Sequence, residues 1–170
     1  MNLTNIDNIT PSQVNGFFYR IVLQKYEKDI LGTEGSKNAG GRYNDKGIDG
    51  VLYLGENETV AIAERKRKGP LSDGKFVIGK IEVKLDKVLN LTREENLGVL
   101  GINKSDLVKG EEEGGYEITR AIGRAAFKKG YEALLVPSIT GEGNNLVVFI
   151  PNLKDKQKQV RLIETKQLSI

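Results

Sequence analysis

The alternation of apolar and polar residues along the chain predicts six β-strands. β-Branched and aromatic residues recur there with a period of two, which is typical of strands that bury one face. The predicted strands cover residues 17–22, 51–54, 76–83, 133–136, 146–150 and 160–163. Segments with helical spacing are fewer.

Two helices are predicted from capping residues and apolar spacing. The first is capped by Asn57 and continues to about Arg67, and the second covers residues 115–129 and stops at Gly130. Residues 89–113 show no clear period, and their acidic end is predicted to form a loop.

The order of these elements predicts the fold class. Strands and helices do not alternate regularly, which favours an α+β domain over a doubly wound parallel sheet. The chain has 170 residues, and no internal repeat or Pro/Gly/Ser-rich linker divides it. We therefore expect residues 1–170 to form a single domain around one core.

The composition narrows the chemistry that the protein can perform. The chain contains no cysteine and no histidine. Their absence excludes disulfides, thiolate or histidine-ligated metal sites, cysteine nucleophiles and Ser-His-Asp triads. Catalysis would have to use Asp, Glu, Arg, Lys, Tyr, Ser or Thr, or a hard cation bound by carboxylates.

The charge is mildly basic and does not by itself identify a partner. There are 26 Lys and Arg against 23 Asp and Glu, which gives a net charge of +3. The basic segments ERKRKG and KDKQKQVR lack the interleaved aromatics of a single-strand binder, so we expect solvated faces and no direct nucleic-acid partner. Neither a secretory signal nor a membrane-spanning apolar run is visible, which predicts a cytoplasmic protein with no membrane partner.

The glycine-rich segment GSKNAGGRYNDKG, residues 35–47, permits two interpretations. Its glycines do not follow a strand and open a helix, so it matches neither the Rossmann nor the P-loop pattern. It is either a flexible surface loop with a solvated Arg42, or a loop that binds an anion. In the second case Gly40 and Gly41 let a ligand approach the backbone, and Arg42 pairs with a phosphate or carboxylate.

A second arginine lies inside a predicted strand. If the strand alternates, Arg20 shares a face with Phe18 and Val22. Because a buried charge without a partner is very costly, we expect Arg20 to contact a carboxylate or a bound anion.

A carboxylate follows the apolar stripe of the first predicted helix. Glu64 lies three and four residues after Ala61 and Val60. It either pairs with Lys68 on the helix surface or points into a cleft near the strand that carries Tyr53.

Polar residues also meet at the end of a predicted hairpin. Ser138 follows one apolar strand, and Asn144 and Asn145 precede the next. Such a turn either serves only the hairpin or presents ligand-binding groups. With no histidine to activate its hydroxyl, Ser138 is not expected to be a nucleophile.

Taken in order, these fragments resemble the RES domain, the toxin half of RES-Xre toxin-antitoxin systems. The resemblance extends over residues 17–165, with Tyr43 where the family usually has tryptophan. A long interval before Ser138 indicates an insertion near residues 89–113. The matching fragments are FYRI with Arg20, GGRYNDKG with Arg42, VLYLGENETVAIAE with Tyr53 and Glu64, and VPSITGEGNNLVVFIPN with Ser138 and Asn145.

The resemblance implies an ADP-ribosyltransferase-like fold, with a split β-sheet core and flanking helices. Members of this family degrade NAD⁺ by hydrolysis or by phosphorolysis. NAD⁺ would therefore be a substrate, with inorganic phosphate as the second substrate in phosphorolysis, and no bound cofactor or metal is implied. The implied protein partner is an Xre-type helix-turn-helix antitoxin, and the oligomeric state is left open.

The resemblance also implies roles for individual residues. Glu64 would face the nicotinamide ribose, Tyr53 would lie near the nicotinamide ring, and Asn145 would orient the loop. Ser138 would hydrogen-bond the ribose, the nicotinamide amide or Glu64. The two arginines would hold the pyrophosphate or an incoming phosphate. The implied catalytic residues are Arg20, Tyr53, Glu64 and Ser138. The residues implied to bind NAD⁺ are Arg20, Gly41, Arg42, Tyr43, Tyr53 and Asn145.

Two other functions are compatible with the residues. One is an ADP-ribosyltransferase that modifies a protein target, and the other is a non-catalytic module that binds a nucleotide or RNA through the basic segments. Labelled NAD⁺ distinguishes them, because degradation releases ADP-ribose, transfer fixes the label on protein, and a binding module leaves NAD⁺ intact.

Overall fold

Six strands form one hydrogen-bonded sheet, which a computed structural model describes together with the rest of residues 1–169. All six predicted strands are confirmed, and the strands that begin at Ser12, Phe76 and Val160 extend well beyond the predicted ranges. The strands are β1 (Ser12–Leu23), β2 (Val51–Gly55), β3 (Phe76–Asn90), β4 (Ala133–Pro137), β5 (Asn144–Phe149) and β6 (Val160–Gln167).

The sheet closes on itself. Its strand order is β1-β2-β5-β4-β3-β6, and β1 also pairs with β3, so that five strands form a ring with β6 attached outside it. One edge of β3 is shared, since β6 pairs with residues 77–83 and β4 pairs in parallel with residues 88–90. The predicted α+β class with a strand-rich core and flanking helices is confirmed.

Six α-helices accompany the sheet within residues 1–169. The two predicted helices are confirmed, and the Asn57 side chain caps the first by accepting from the backbone N–H of Val60 at 2.9 Å. Short 3-10 segments occupy Leu3–Asn8, Gln24–Asp29, Leu71–Asp73, Glu111–Glu113 and Ile150–Asn152. The helices are α1 (Glu34–Ala39), α2 (Glu58–Lys66), α3 (Glu94–Leu100), α4 (Lys104–Val108), α5 (Gly115–Lys128) and α6 (Lys156–Gln159).

The prediction of a flexible loop over residues 35–47 is wrong for its first part, which lies in helix α1. Hydrogen bonds fix the rest of the segment. Asn44 Nδ2 donates to the carbonyl of Ser36 at 2.8 Å, and Ser36 Oγ donates to the carbonyl of Val51 at 2.5 Å. The acceptors are backbone carbonyls 8 and 15 residues away, which leave no periodic signal in the sequence.

Residues 89–113 contain the end of β3 followed by α3 and α4. Leu97, Leu100 and Leu107 are buried, so these short helices contribute to the core. The acidic end was predicted to be a loop but forms the 3-10 helix Glu111–Glu113. Gly114, whose backbone is left-handed (φ 75°), connects this helix to α5. Helices of seven and five residues are too short to show a helical period.

The core has two parts, which lie on opposite faces of the strands. Leu146 and Val148 of β5 pack with residues of the other strands inside the ring. Val147 and Phe149 alternate with them and pack against the helices on the outside. Both faces of β5 are therefore buried, which explains its continuous apolar sequence. Within the described residues, no helix combines the length and apolarity needed to cross a bilayer.

Candidate active site

Three of the residues singled out in the sequence meet at one carboxylate. Glu64 Oε1 accepts a hydrogen bond from Ser138 Oγ at 2.6 Å and another from Asn145 Nδ2 at 2.7 Å. Ser138 and Asn145 are 74 and 81 residues away from Glu64 in the chain. The fold therefore assembles an anchored carboxylate from one helix and one hairpin.

A close contact between α2 and β2 positions this carboxylate. Asn145 on β5 pairs with Gly55, the last residue of β2. Helix α2 lies directly over Gly55, where a Cβ atom would come within 2.8 Å of the backbone nitrogen of Ala61. Ala61 and Glu64 share a helix face because they are three residues apart. The absence of a side chain at Gly55 thus allows α2 to place Glu64 over Asn145.

The second carboxylate oxygen of Glu64 faces a more open environment. Its partner is Arg67 Nη1 at 3.1 Å, and the Glu64 side chain is 25% exposed. The expected surface pairing of Glu64 with a cation of its own helix is therefore found, but with Arg67 rather than Lys68. Because partly exposed ion pairs contribute little stability, replacing Arg67 at Oε2 by a ligand would cost little free energy.

Ser138 is held as a hydrogen-bond donor. Ser138 is only 3% exposed, and its hydroxyl donates to the Glu64 carboxylate. The backbone N–H of Thr140 donates to Ser138 Oγ at 3.2 Å, and the Thr140 hydroxyl lies 2.7 Å from it. This geometry suits a group that orients Glu64, one of the partners that the resemblance implied for Ser138.

Lys68 lies in a group of positive charges near this carboxylate. Loss of hydration lowers the pKa of Lys68, the positive charges of Arg20 and Arg65 lower it further, and Glu64 acts in the opposite direction. Lys68 is nevertheless an exposed residue, so solvent screens these effects. Positive charges that repel one another beside Glu64 favour the binding of an anion.

Arg20 finds its partners in the backbone. Its Nη1 donates to the carbonyl oxygens of Ile30 at 2.7 Å and Gly32 at 2.6 Å, which ties β1 to the segment before α1. Burial lowers the pKa of Arg20, and the charge of Asp29 opposes that shift. The strand pattern predicted a carboxylate or anion and did not reveal these carbonyls.

Arg42 is directed towards helix α4. Its Nη1 donates to the carbonyl of Lys109 at 2.5 Å, and the guanidinium carbon lies 4.7 Å from the centre of the Tyr116 ring. Its Nη2 is buried and has no hydrogen-bond partner among residues 1–169. The interpretation of a solvated surface arginine is therefore wrong, since Arg42 anchors its loop to the end of α4.

Tyr53 is bound to the same loop. Its hydroxyl accepts from the backbone N–H of Tyr43 at 3.0 Å and donates to Asn44 Oδ1 at 2.6 Å. The Tyr53 hydroxyl fills the space beside Gly41. A Cβ atom at Gly41 would overlap this hydroxyl and would lie 2.7 Å from Cζ of the Tyr53 ring. The hydroxyl is thus committed to the loop, and the partly buried Tyr53 ring packs against the core cluster outside the ring of strands.

Tyr43 lies beneath the loop. It is 2% exposed and packs in the cluster between the sheet and the helices. Its hydroxyl is buried without a partner among the described residues, and burial raises the pKa of Tyr43. Helix α5 touches the loop at Gly123, where a Cβ atom would overlap the carbonyl oxygen of Tyr43.

Comparison with protein families identifies the chain. A family model described as the RES domain matches residues 17–168. The protein belongs to the RES domain family. The resemblance inferred from four separate fragments is thereby confirmed over most of the chain.

Curated relatives of this RES domain come from mycobacteria. Proteins named NAD(+) phosphorylase MbcT, from Mycobacterium bovis and Mycobacterium tuberculosis, are 24% identical to the chain over 142 residues. The aligned region covers 79% of this chain and 74% of each relative.

A solved structure shares the fold. A chain in the crystal structure of the M. tuberculosis MbcT-MbcA toxin-antitoxin complex superposes with a TM-score of 0.82 and 22% sequence identity. The superposition covers 98% of this chain and 91% of the other. The closed sheet with flanking helices is therefore an architecture that this RES domain shares with a solved structure.

Sequence reasoning missed several residues that build the site of this RES domain. Gly55 and Arg67 position or contact Glu64, Asn44 holds the Tyr53 hydroxyl, and Thr140 contacts Ser138. Thr140 had a local signal, since a threonine two residues after a polar residue often closes a turn through its hydroxyl. Gly55 had none, because only the crossing of α2 over β2 gives it a role.

Proposed function

We propose that this protein is an NAD⁺-degrading toxin that cleaves the bond between nicotinamide and ribose. The observation that carries the proposal is the Glu64 carboxylate, held on one oxygen by Ser138 and Asn145 while the other oxygen contacts Arg67 in a partly exposed ion pair. Membership of the RES family and the relatives named NAD(+) phosphorylase support it.

The anchored carboxylate suits this reaction. As the bond from ribose C1′ to the nicotinamide nitrogen breaks, the electron pair leaves with nicotinamide and positive charge develops on the ribose. A fixed negative charge stabilises such an oxocarbenium-like centre, as in glycoside cleavage. Nicotinamide departs as a neutral molecule, so the reaction needs no general acid, and a chain without histidine can catalyse it.

We propose different tasks for the residues around Glu64. Ser138 and Asn145 orient Oε1, which leaves Oε2 to face the ribose. The Tyr53 ring lies beside the loop and would pack near the nicotinamide. Arg20 contributes its charge to the cation cluster on which the pyrophosphate would bind, whereas Arg42 acts mainly by holding the loop that contains Gly41 and Tyr43.

The same cluster accommodates either acceptor. Water attacking C1′ loses a proton and gives ADP-ribose, and inorganic phosphate gives ADP-ribose phosphorylated at that carbon. Arg67 and Lys68 lie beside Glu64 and would offset the repulsion between its carboxylate and an incoming phosphate. We therefore propose phosphorolysis as the main reaction, in agreement with the name of the mycobacterial relatives.

The proposal extends to the partner and the fold relationship. This protein superposes on a chain of the MbcT-MbcA toxin-antitoxin complex, which supports the proposal that a cognate antitoxin neutralises it. We propose that this antitoxin is of the Xre type. The closed, strand-rich core is the part that we relate to the ADP-ribosyltransferases. NAD⁺ and the antitoxin would both be met in the cytoplasm.

Incubation of the purified full chain with NAD⁺, with and without inorganic phosphate, tests the proposal. Mass spectrometry should detect nicotinamide together with phosphorylated ADP-ribose when phosphate is present. Release of free ADP-ribose at the same rate in both conditions would establish hydrolysis instead. ADP-ribose attached to an added protein would establish transfer. NAD⁺ left intact in both conditions would refute the enzymatic function.

A further inference from the structure

The turn after β4 contains a hydrogen-bonded chain that ends at the catalytic carboxylate. The backbone N–H of Glu142 donates to Thr140 Oγ1 at 3.3 Å, Thr140 Oγ1 lies 2.7 Å from Ser138 Oγ, and Ser138 Oγ donates to Glu64 Oε1 at 2.6 Å. Thr140 makes no hydrogen bond to Glu64 itself.

The direction of each hydrogen in this chain follows from counting donors and acceptors. A carboxylate only accepts, so the single proton of the Ser138 hydroxyl points to Glu64. Ser138 must therefore accept from Thr140, and its two lone pairs are used by the Thr140 backbone N–H at 3.2 Å and the Thr140 hydroxyl. With both lone pairs occupied, Ser138 has no free site for a ligand.

The same local motif occurs twice more within residues 1–169, without this consequence. The N–H and hydroxyl of Thr4 both donate to Asn2 Oδ1, and those of Thr92 both donate to Asn90 Oδ1. In these turns the acceptor is an amide oxygen, which carries no proton to direct elsewhere. At Thr140 the acceptor is a hydroxyl whose proton lies on Glu64, so the turn also holds the oxygen that donates to the carboxylate.

We propose that Thr140 is a positioning residue for the NAD⁺-cleaving reaction. By donating to Ser138, it holds Ser138 Oγ within hydrogen-bond distance of Glu64 Oε1 and so keeps Oε2 directed towards the substrate. The inference rests on the proposed function for its catalytic consequence, while the position of Ser138 can be tested separately. Chains of hydroxyls polarise one another, which strengthens the final bond to the carboxylate.

Three variants of the full chain test this role. Thr140→Val keeps the shape and removes the donor, Thr140→Ser keeps the donor, and Thr4→Val removes the matched hydroxyl from a turn that does not contact Glu64. We expect Thr140→Val to lower kcat for NAD⁺ about tenfold with KM within about twofold of the parent. Thr140→Ser should retain at least about half of the parental kcat, and Thr4→Val should match the parent.

Crystal structures of the same variants provide a measurement that does not depend on activity. In Thr140→Val the Ser138 Oγ should move away from Glu64 Oε1 to beyond hydrogen-bond distance, whereas Thr140→Ser should keep that contact. A retained Ser138–Glu64 bond in Thr140→Val, or an equal loss of kcat in both Thr140 variants, would overturn the proposal. If the parent fails to consume NAD⁺, the proposed function fails, and the structures alone still decide whether Thr140 positions Ser138.

Discussion

Among individual residues, Glu64 has the most direct connection to the proposed chemistry. Glu64→Gln keeps the size of the side chain, and its amide oxygen can still accept from Ser138 and Asn145. The negative charge is lost, so turnover of NAD⁺ should fall by at least about 100-fold, because charge stabilisation contributes most to such catalysis. Product formation by mass spectrometry and the thermal midpoint are the two measurements.

Glu117→Gln is the matched control, since Glu117 is an exposed carboxylate on α5. It should leave both turnover and the thermal midpoint unchanged. Parental turnover in Glu64→Gln would contradict the assignment of Glu64, and an equal loss in Glu117→Gln would show that overall charge, not the anchored carboxylate, controls the rate.

At this scale the sequence identified the residues better than their contacts. Glu64, Ser138 and Asn145 could be found because they fall in recognisable fragments, and the structure brings them within hydrogen-bond distance. Arg42 could be found as well, but its direction depends on the carbonyl groups of Leu107 and Lys109, which lie 65 and 67 residues away. No local pattern predicts such a long-range contact.

Among the secondary-structure elements, the placement of α2 on β2 is decisive for the site. In Gly55→Ala, the new methyl group would lie 2.8 Å from the backbone nitrogen of Ala61, so α2 must shift. Overpacking of this kind costs about 1–3 kcal/mol of unfolding free energy. A shift of α2 also displaces Glu64, so kcat should fall at least about tenfold.

Gly16→Ala in β1 is the control for this prediction, because a Cβ there meets no atom within 4 Å. It should leave kcat unchanged and raise the unfolding free energy slightly, since alanine loses less conformational entropy than glycine. Urea unfolding and turnover of NAD⁺ measure both effects. Equal behaviour of the two alanine variants would show that the contact between α2 and β2 does not position the site.

The elements also show where sequence patterns stop being informative. The six strands and the helices α2 and α5 were predictable from apolar spacing and from caps such as Asn57 and Gly130. Helices α1, α3 and α4 were not, because each has seven residues or fewer. Such short helices are stabilised by tertiary contacts rather than by a pattern of their own.

In the molecule as a whole, the closure of the sheet depends on pairings that no local signal encodes. The parallel pairing of β3 with β4 joins residues more than 40 positions apart, as in Val88 with Ala133, and β1 closes the ring through β3. The order of the fragments along the chain could be recognised from the sequence. The ring itself follows from burying both faces of β4 and β5, which becomes evident only when all partners are placed.

The molecule contains no histidine, so buried tyrosines become an important source of the pH dependence of its unfolding free energy. Burial raises the pKa of Tyr43 and Tyr53 above the ordinary value of 10.0, and raises that of Tyr131 as well. Below that value these phenols are protonated in both the folded and the unfolded chain. Above it the unfolded chain loses the protons while the folded chain retains them, so stability falls as the pH rises.

Each strongly buried tyrosine should lower the unfolding free energy by about 1.4 kcal/mol per pH unit above about pH 10. Tyr43→Phe isolates one contribution, because the lysines that titrate in the same range are common to both proteins. This substitution should reduce the slope of unfolding free energy against pH by that amount. Near neutral pH the variant should be at least as stable as the parent, because the Tyr43 hydroxyl is buried without a partner among residues 1–169. Urea unfolding from about pH 8 to about pH 11 measures both. Equal slopes for the two proteins would mean that the Tyr43 phenol ionises as readily in the folded core as in the unfolded chain.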